Sequence, residues 1–351
     1  MGAGQAGRPL VITFMSPLNL TEGARARLEM VAPEVEIHEI PYQEDAALRN
    51  ARSTGKITED LLAQAPVLSA DDWAVLERTN VAVALDLPPG MLERARSLEW
   101  VQTISAGTEH LDVAGLAARH VVLTSGAGLS AVPIAEFVMG RLLQVWKHFR
   151  VLDERQSALR WEPLYGRRMA GRTLGIVGLG AIGRATARRA RAFGMHVLAN
   201  RRSAAAGDTD PDVDELFTAE GLDEMIGRCD AVVISVAATA RTTGMFDSHR
   251  INSMKAGAVL CNVARGSIVD EDAVVDGLRS GQLSAAVLDV TAQEPTPVDS
   301  PLWTAPNCYL SAHTAVSLEG YEDAALDLII DNLGRLTRGE PLENLVEPST
   351  S

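Results

Sequence analysis

Short apolar runs rich in β-branched residues alternate with amphipathic stretches along most of the chain, beginning near Pro9. In the first third, the apolar runs predict strands at residues 10–15, 35–40, 81–85 and 100–104. The stretches between them predict helices such as 21–31 and 89–95. Strands that are separated by helices pair in parallel, with the helices on the faces of the sheet. The pattern therefore predicts an open α/β layer in this part of the chain.

A second, more regular series follows the segment GRRMAGR at residues 166–172. It predicts strands at residues 173–179, 196–200, 230–236, 258–263 and 284–290, and a last strand near 309–313. Most of these runs are apolar on both alternations, as is typical of strands buried on both faces. The predicted fold class is α/β, with two doubly wound parallel-sheet domains: a flavodoxin-like substrate domain and a Rossmann cofactor domain.

Two helices bear on the domain organisation. One is predicted from about Val132 to Arg150, between the two strand series, where it would connect the domains. The other is predicted from about Leu318 to Arg338, and it has no sheet of its own left to cover. We expect the last helix to pack on the first domain. The predicted domains are therefore a discontinuous substrate domain, residues 1–105 and 315–351, and a cofactor domain, residues 106–314.

Composition agrees with this plan and excludes some partners. The length of 351 residues exceeds what one hydrophobic core usually serves, and the formal net charge of −14 disfavours binding to nucleic acid or an anionic membrane. The three cysteines show no metal spacing with the seven histidines, so we expect reduced thiols and no metal site. Because no secretory signal or membrane span is visible, we expect the protein in the cytoplasm.

The glycine pattern G-x-G-x-x-G occurs twice, and a near match occurs once more. The copy at residues 2–7 precedes a strand, and the near match at 126–131 opens the connecting helix, so neither predicts a cofactor site. The remaining copy, Gly178, Gly180 and Gly183, follows a buried strand and opens an amphipathic helix. A loop of this kind lets backbone N–H groups approach a pyrophosphate at the helix N-terminus. It predicts dinucleotide binding.

The strand that follows this helix ends in Asn200, Arg201, Arg202 and Ser203. In this motif an acid usually stands near this position and accepts hydrogen bonds from the adenosine ribose. A carboxylate would repel a 2′-phosphate, whereas guanidinium groups bind one through forked, charge-assisted hydrogen bonds. The stretch therefore predicts NADP(H) in preference to NAD(H). The alternative is that the two arginines are only solvated surface charge.

Several ordered segments resemble the D-isomer-specific 2-hydroxyacid dehydrogenase family. Those with signature character are NVARGSIVDE (262–271), LDVTAQEPTP (288–297) and LSAHTAVS (310–317). SAGTEHLD (105–112) and PIAEFVMGRLL (133–143) resemble that family's cleft loop and connector helix. The similarity extends from about residue 80 to the C-terminus. It implies an NAD(P)-dependent 2-oxoacid reductase of the glyoxylate/hydroxypyruvate type, active as a homodimer on a small-molecule substrate.

The resemblance also implies a catalytic set of Arg265, Glu294 and His313. An arginine can bind the carboxylate of a 2-oxo acid and polarise its carbonyl group. A histidine can donate a proton to the carbonyl oxygen as hydride reaches the carbon, and a neighbouring glutamate orients the ring and favours the imidazolium. Taken singly, the three also fit a turn cap, a solvated loop acid and a core histidine.

Further contacts follow from the same resemblance. The backbone amides of Ala106 and Gly107 are expected to hold the substrate carboxylate, with Arg265 and His313, and Asp289 to contact the nicotinamide amide. The other expected cofactor contacts are Ala181, Ile182, Thr239, Thr242, Val263 and Ala264. Asp86 is expected to cap the helix that follows it, or else to lie at the mouth of the substrate pocket.

Two other functions fit the same residues. One is a nucleotide-sensing regulatory protein that keeps the dehydrogenase fold, and the other is oxidation of a small anion such as phosphite. The sequence leaves open which 2-oxo acid is reduced, because loop shape sets the side-chain pocket.

Overall fold

The computed structural model describes residues 9–347. The chain divides into two compact units: the residues up to Leu129 together with those from Leu318 onward, and the central residues Ser130–Ser317. The divisions fall at 129/130 and 317/318, later than the boundaries 105/106 and 314/315 that the sequence predicts.

The first unit contains a five-stranded parallel sheet. Its strands are β1 (Val11–Phe14), β2 (Glu36–Glu39), β3 (Val81–Ala84), β4 (Trp100–Thr103) and β5 (Val122–Thr124). The spatial order β2-β1-β3-β4-β5 is the flavodoxin-like order. β5 explains the later boundary, because it pairs with β4 and so keeps residues 106–129 in this unit.

The second unit contains a seven-stranded parallel sheet. Its strands are β6 (Thr173–Val177), β7 (His196–Asn200), β8 (Glu215–Phe217), β9 (Ala231–Ile234), β10 (Ala258–Asn262), β11 (Leu283–Leu288) and β12 (Cys308–Leu310). The order β12-β11-β10-β9-β6-β7-β8 reverses direction between β6 and β9, as in a Rossmann sheet. The predicted fold class is confirmed. Neither β8 nor β5 of the first unit, each of three residues, was predicted from the sequence.

The helices lie in the chain segments that connect the strands. They are α1 (Glu22–Val31), α2 (Ala46–Thr54), α3 (Glu59–Leu62), α4 (Ala70–Leu76), α5 (Met91–Arg94), α6 (Val113–Ala118), α7 (Ala131–Trp146), α8 (Phe149–Ser157), α9 (Ala181–Ala192), α10 (Leu222–Gly227), α11 (Ser248–Ser253), α12 (Glu271–Ser280) and α13 (Tyr321–Arg338). Two 3₁₀ turns, Gly266–Ile268 and Pro301–Trp303, lie in the second unit.

The predicted connecting helix is two helices. α7 ends at Trp146, and His148 has a φ of 57°, in the left-handed region that a continuous helix cannot contain. α8 then begins at Phe149. The prediction of one helix to Arg150 is therefore wrong at its C-terminal end.

The last helix packs on the first sheet. Ala325, Leu326, Ile329, Ile330 and Leu333 of α13 join the buried cluster that also contains residues of β1 and β3. Their spacing of three and four residues gives α13 one apolar face, which must be covered. Tyr321, the first residue of α13, donates a hydrogen bond from its hydroxyl group to the carbonyl oxygen of Ile104. The expectation from the sequence is correct in this respect.

Within the described residues, none of the helices has the length and apolar character needed to cross a membrane. In the same part of the chain, no group of three or more His, Cys, Asp or Glu side chains is placed to hold a metal ion. The three cysteines are free, and burial raises the pKa of Cys229 and Cys261 to about 12.

Candidate active site

The turn between β6 and α9 contains the three glycines of the predicted dinucleotide motif. Gly178 has a φ of 98°, and a Cβ there would lie 2.6 Å from Val236 Cγ1. A Cβ on Gly183 would lie 2.3 Å from the carbonyl oxygen of Gly178, so this close contact requires glycine. Gly180 has open space at its Cβ position. The turn is therefore tightly packed at its first and third glycines and open at the second, which fits a bound pyrophosphate.

The N-terminus of α9 has the chemistry that an anion requires. Gly180 is its N-cap residue, and no side chain caps the first turn. The first N–H groups of a helix have no acceptor within the helix and carry the positive end of its dipole. Ala181 is exposed and Ile182 is half-buried. Both stand in the first turn of α9, as the motif predicts, and their contact with a cofactor remains a prediction.

The two arginines that follow β7 lie at the same edge of the sheet as the glycine turn. β6 and β7 pair in parallel, with Val177 opposite Asn200, and Gly178 N–H donates to the carbonyl oxygen of Asn200. Arg201 is half-buried and Nη1 lies 3.5 Å from Asp210 Oδ2, whereas Arg202 and Ser203 are exposed. The Nε atom of Arg201 is buried and has no hydrogen-bond partner among the described residues. Arg201 therefore has a side-chain N–H donor that no described residue uses.

The loop after β9 is a compact turn built on its own threonines. Thr242 Oγ1 accepts a hydrogen bond from Thr239 N–H at 2.8 Å and donates one to the carbonyl oxygen of Ala237 at 2.8 Å. Thr239 is exposed and Thr242 is half-buried. Because β9 and β6 flank the reversal of strand order, this loop borders the crevice where such sheets bind ligands.

Asn262, the last residue of β10, shapes the turn that carries Arg265. Its side chain is fully buried, accepts a hydrogen bond from Ala264 N–H at 3.0 Å and donates one to the carbonyl oxygen of Arg265 at 2.9 Å. Val263 and Ala264 are buried beside it. No role for Asn262 was predicted from the sequence. The sequence does contain a signal for this role, an asparagine at the end of an apolar strand. A polar side chain that is buried there must form hydrogen bonds with nearby groups.

Gly266 brings this turn against the segment that follows β11. A Cβ on Gly266 would lie 1.9 Å from the carbonyl carbon of Thr291, so another side chain would force the two segments apart. Arg265 Nη1 donates to the carbonyl oxygen of Ala264 at 2.8 Å. The close approach places Arg265 near Glu294, whose pKa its positive charge helps to lower.

Glu294 and His313, which are predicted to act as an acid–base pair, lie in direct contact. His313 Nδ1 lies 2.9 Å from Glu294 Oε2, and Glu294 Oε1 accepts a hydrogen bond from Thr291 N–H at 3.2 Å. His313 has a φ of 54°, an uncommon left-handed conformation for a residue other than glycine. Its side chain is 45% exposed and that of Glu294 is 39% exposed. The pair is therefore preformed and still accessible to a substrate.

The pair is polarised towards an imidazolium and a carboxylate. The hydrogen bond that His313 donates to Glu294 raises the pKa of His313, although burial and the charge of Arg265 act against it. Burial alone would raise the pKa of Glu294, but its hydrogen bond and charge interaction with His313 hold that pKa below its usual value. A protonated histidine beside an arginine can hold a substrate anion and donate a proton to it.

Asp289 holds the turn in which His313 lies. Its buried carboxylate accepts hydrogen bonds from Ser311 Oγ at 2.8 Å, Thr314 N–H at 2.9 Å and Ala315 N–H at 3.1 Å. Its carbonyl oxygen accepts from His313 N–H at 2.8 Å. These bonds account for the unusual backbone of His313. The expected contact of Asp289 with a nicotinamide amide stays a prediction beside this structural role.

Ala106 and Gly107 belong to the first unit, in the loop after β4. Ala106 is exposed and Gly107 is half-buried. The loop is attached at both ends of this stretch: Gly126 N–H donates to the carbonyl oxygen of Ser105, and His110 Nε2 lies 2.7 Å from the carbonyl oxygen of Leu85. Their binding of a substrate carboxylate stays a prediction.

Asp86 does not cap the following helix. Its side chain is 1% exposed, lies in a bidentate ion pair with Arg49 at 2.7 and 2.8 Å, and accepts a hydrogen bond from Glu44 N–H at 3.0 Å. α5 has Gly90 as its N-cap residue, with no side-chain cap. The interpretation as a cap is wrong because a buried carboxylate requires a charged partner, which here comes from α2.

Comparisons with known proteins agree with this geometry. A family model described as "D-isomer specific 2-hydroxyacid dehydrogenase, NAD binding domain" matches residues 139–315. Glyoxylate/hydroxypyruvate reductase B from Citrobacter koseri is 34% identical over 271 residues, which cover 74% of this chain and 82% of that protein. D-3-phosphoglycerate dehydrogenase from Methanocaldococcus jannaschii is 29% identical over 84% of this chain, but the chain spans only 54% of that protein.

A solved structure has the same fold over nearly the whole chain. It is that of an NADPH-dependent glyoxylate/hydroxypyruvate reductase from Sinorhizobium meliloti, in complex with NADP and sulfate. It has a TM-score of 0.73 and 26% identity, and it covers 96% of this chain and 98% of that one. The family model alone spans about half of the chain and includes the glycine turn and all three predicted catalytic residues. The chain therefore belongs to the D-isomer specific 2-hydroxyacid dehydrogenase family, as its sequence predicts, and is an NAD(P)-dependent oxidoreductase.

Proposed function

We propose that this protein reduces a small 2-oxo acid to the D-2-hydroxy acid and prefers NADPH to NADH. The observation that carries the proposal is the Glu294–His313 pair at 2.9 Å, at the sheet edge that also bears the dinucleotide turn. The relatives named glyoxylate/hydroxypyruvate reductases support a substrate with a short side chain.

Each of the three catalytic residues has a different role in the reaction. Arg265 binds the carboxylate and polarises the carbonyl through its guanidinium. His313, protonated because Glu294 accepts from Nδ1, donates the proton on Nε2 to the carbonyl oxygen. When bound, the nicotinamide supplies the hydride that C2 accepts. Glu294 holds the ring in one orientation and offsets the charge of the imidazolium.

The residues of the second unit fit a dinucleotide with a 2′-phosphate. The open space at Gly180 and the uncapped start of α9 suit the pyrophosphate. Arg201 and Arg202 stand at the end of β7, and Arg201 has a buried Nε–H without an acceptor in the described part of the chain. The S. meliloti protein, which is NADPH-dependent, supports the same preference. The contacts of Ser203, Thr239, Thr242, Val263, Ala264 and Asp289 with the cofactor are part of this proposal.

The binding of the substrate carboxylate by the backbone N–H groups of Ala106 and Gly107 is kept as a prediction from the family resemblance. A cytoplasmic location is a separate prediction from the sequence.

The proposal includes a homodimer through the second unit. The segment after α8 exposes large apolar side chains, with Leu159 94% exposed, Tyr165 88% exposed and Trp161 fully exposed. Aromatic anchors of this kind are typical of protein interfaces, and a second copy is the occupant that the family implies. Light scattering should give twice the chain mass, and Trp161→Ser with Leu159→Ser should shift the protein towards the monomer. A monomer in the unmodified protein would contradict this part of the proposal.

The experiment that tests the activity follows NADPH absorbance with glyoxylate, hydroxypyruvate, pyruvate and longer 2-oxo acids. We expect oxidation of NADPH by at least one short 2-oxo acid, with a higher kcat/KM than with NADH. If none of the acids oxidises either cofactor, the activity is wrong and a nucleotide sensor or phosphite oxidation would take its place.

The Arg201→Ala, Arg202→Ala double variant tests the cofactor preference separately. We expect KM for NADPH to rise by about tenfold or more, the scale of a lost charge-assisted hydrogen bond to phosphate, with KM for NADH little changed. An equal rise for both cofactors would mean that the two arginines do not recognise the 2′-phosphate.

A further inference from the structure

An acid-rich segment, residues 208–214, lies between β7 and β8 and contacts the basic face of α9. Arg184, Arg188 and Arg191 of α9 all find acceptors in it. Within this segment the side chain of Asp210 is only 5% exposed and that of Asp212 is 13% exposed. A buried carboxylate is costly unless it is paired, so its partners indicate what it is there to hold.

Asp210 pairs with two arginines that come from different elements. Its Oδ1 accepts a hydrogen bond from Arg184 Nη1 at 2.7 Å and from Asp212 N–H at 3.2 Å. Its Oδ2 lies 3.5 Å from Arg201 Nη1. Asp210 therefore shares its two oxygens between α9 and the residue that follows β7.

The two arginines belong to the two halves of the proposed cofactor site. Arg184 lies on the first turns of α9, the helix whose N-terminus is proposed to bind pyrophosphate. Arg201 is one of the two residues proposed to bind the 2′-phosphate. Asp210 Oδ2 lies 3.5 Å from Nη1 of Arg201, and Nε–H of the same guanidinium has no acceptor among residues 9–347. A guanidinium has five N–H donors, so it can pair with a carboxylate and still bind a phosphate.

We propose that Asp210 is a positioning residue for cofactor choice: it fixes Arg201 through Nη1 so that its other N–H donors bind the 2′-phosphate of NADP(H). The inference rests on the proposed preference for NADPH. A dinucleotide motif usually carries an acid at the end of its second strand. In this protein Arg201 follows that strand instead, and the acid that contacts it, Asp210, comes from the next loop.

Two effects of Asp210 on the 2′-phosphate oppose each other. Its negative charge repels the phosphate, and its ion pair orients the arginine that attracts it. The 2.7 Å bond to Arg184 already offsets the charge of the carboxylate, so the orienting effect is expected to exceed the repulsion. The sign of the change in affinity on removing the carboxylate decides between the two effects.

The test is calorimetric titration of NADP⁺ and NAD⁺ into the full-length protein and its variants. We expect Asp210→Ala to weaken NADP⁺ binding about tenfold and NAD⁺ binding by less than about twofold. Asp212→Ala is the matched control, because it removes the same charge from the same segment and Asp212 pairs with Arg184 and Arg188 instead of Arg201. It should change both affinities by less than about twofold.

A double variant tests whether Asp210 acts through Arg201. Once Arg201→Ala is present, adding Asp210→Ala should weaken NADP⁺ no further, because the two residues then no longer act as a pair. Asp210→Asn keeps one acceptor oxygen and should give an intermediate loss. If urea unfolding shows that Asp210→Ala does not fold, Asp210→Asn takes its place in the test.

The outcomes separate this inference from the proposed function. A loss of NADP⁺ affinity in Arg201→Ala without a loss in the Asp210 variants overturns the inference alone. Tighter NADP⁺ binding in an Asp210 variant also overturns it, since the carboxylate would then act by repulsion. No loss in Arg201→Ala overturns both the inference and the proposed recognition of the 2′-phosphate by this arginine.

Discussion

Glu294→Gln perturbs the acid–base pair while keeping the size of the side chain. The glutamine can still contact His313 Nδ1 at the 2.9 Å position but has no charge to favour the imidazolium. A hydrogen bond to a charged group contributes about 1.5–3 kcal/mol. Because both side chains are more than a third exposed, at 45% and 39%, solvent screening favours the lower end of that range. A loss of about 1.5 kcal/mol corresponds to roughly a tenfold fall in kcat/KM near neutral pH.

The same substitution should move the pH dependence of reduction in a definite direction. Glu294 raises the pKa of His313, so the imidazolium that donates the proton persists to higher pH than in an ordinary histidine. Activity is present below that pKa and is lost as the pH rises through it. In Glu294→Gln the pKa falls, so the loss should begin at lower pH and the two proteins should differ most at high pH.

The assay is kcat/KM for 2-oxo acid reduction across the pH range, with NMR titration of the His313 ring as a direct readout. Glu271→Gln is the control, because Glu271 accepts from Ala292 N–H at 2.6 Å beside the same segment and does not contact His313. It should leave the pH profile unchanged. A profile for Glu294→Gln that is unmoved, or that moves to higher pH, would refute the role given to Glu294.

Three other substitutions test the remaining parts of the structure. His313→Ala should reduce turnover at least a hundredfold and leave NADP⁺ affinity within about twofold, because general acid catalysis contributes that much to rate; equal losses in both would contradict the role of proton donor. Gly183→Ala should weaken NADP⁺ by about tenfold, since its Cβ would lie 2.3 Å from the Gly178 oxygen, whereas Gly140→Ala, with open space at its Cβ, should not. Leu333→Ala, fully buried in α13, should lower the free energy of unfolding by about 3 kcal/mol in urea titration. The control Leu318→Ala, 82% exposed, should have little effect, and an equal loss would argue against α13 as part of the first core.

Local patterns carried much of the fold and part of the site. A strand buried on both faces must be apolar throughout, so it can be recognised in the sequence as an apolar run. For this reason the principal strands of both sheets could be predicted. β8 and the break at His148 could not, because neither the three residues ELF, which begin with a glutamate, nor a single left-handed residue forms an apolar run. The glycine turn was predictable because its constraint is local: the Gly178 and Gly183 that touch are five residues apart.

Pairings between distant residues were decided by the tertiary structure alone. Asp86 pairs with Arg49, Asp289 holds the turn of His313, and Asp210 bridges Arg184 and Arg201. Each carboxylate is buried, and a buried charge is stable only beside a partner. The sequence shows that an acid is present, but the partner depends on which elements the fold brings beside it. By itself, the sequence predicted the two sheets, the dinucleotide turn and a set of candidate catalytic residues, while the tertiary structure decided which side chains hold those residues in position.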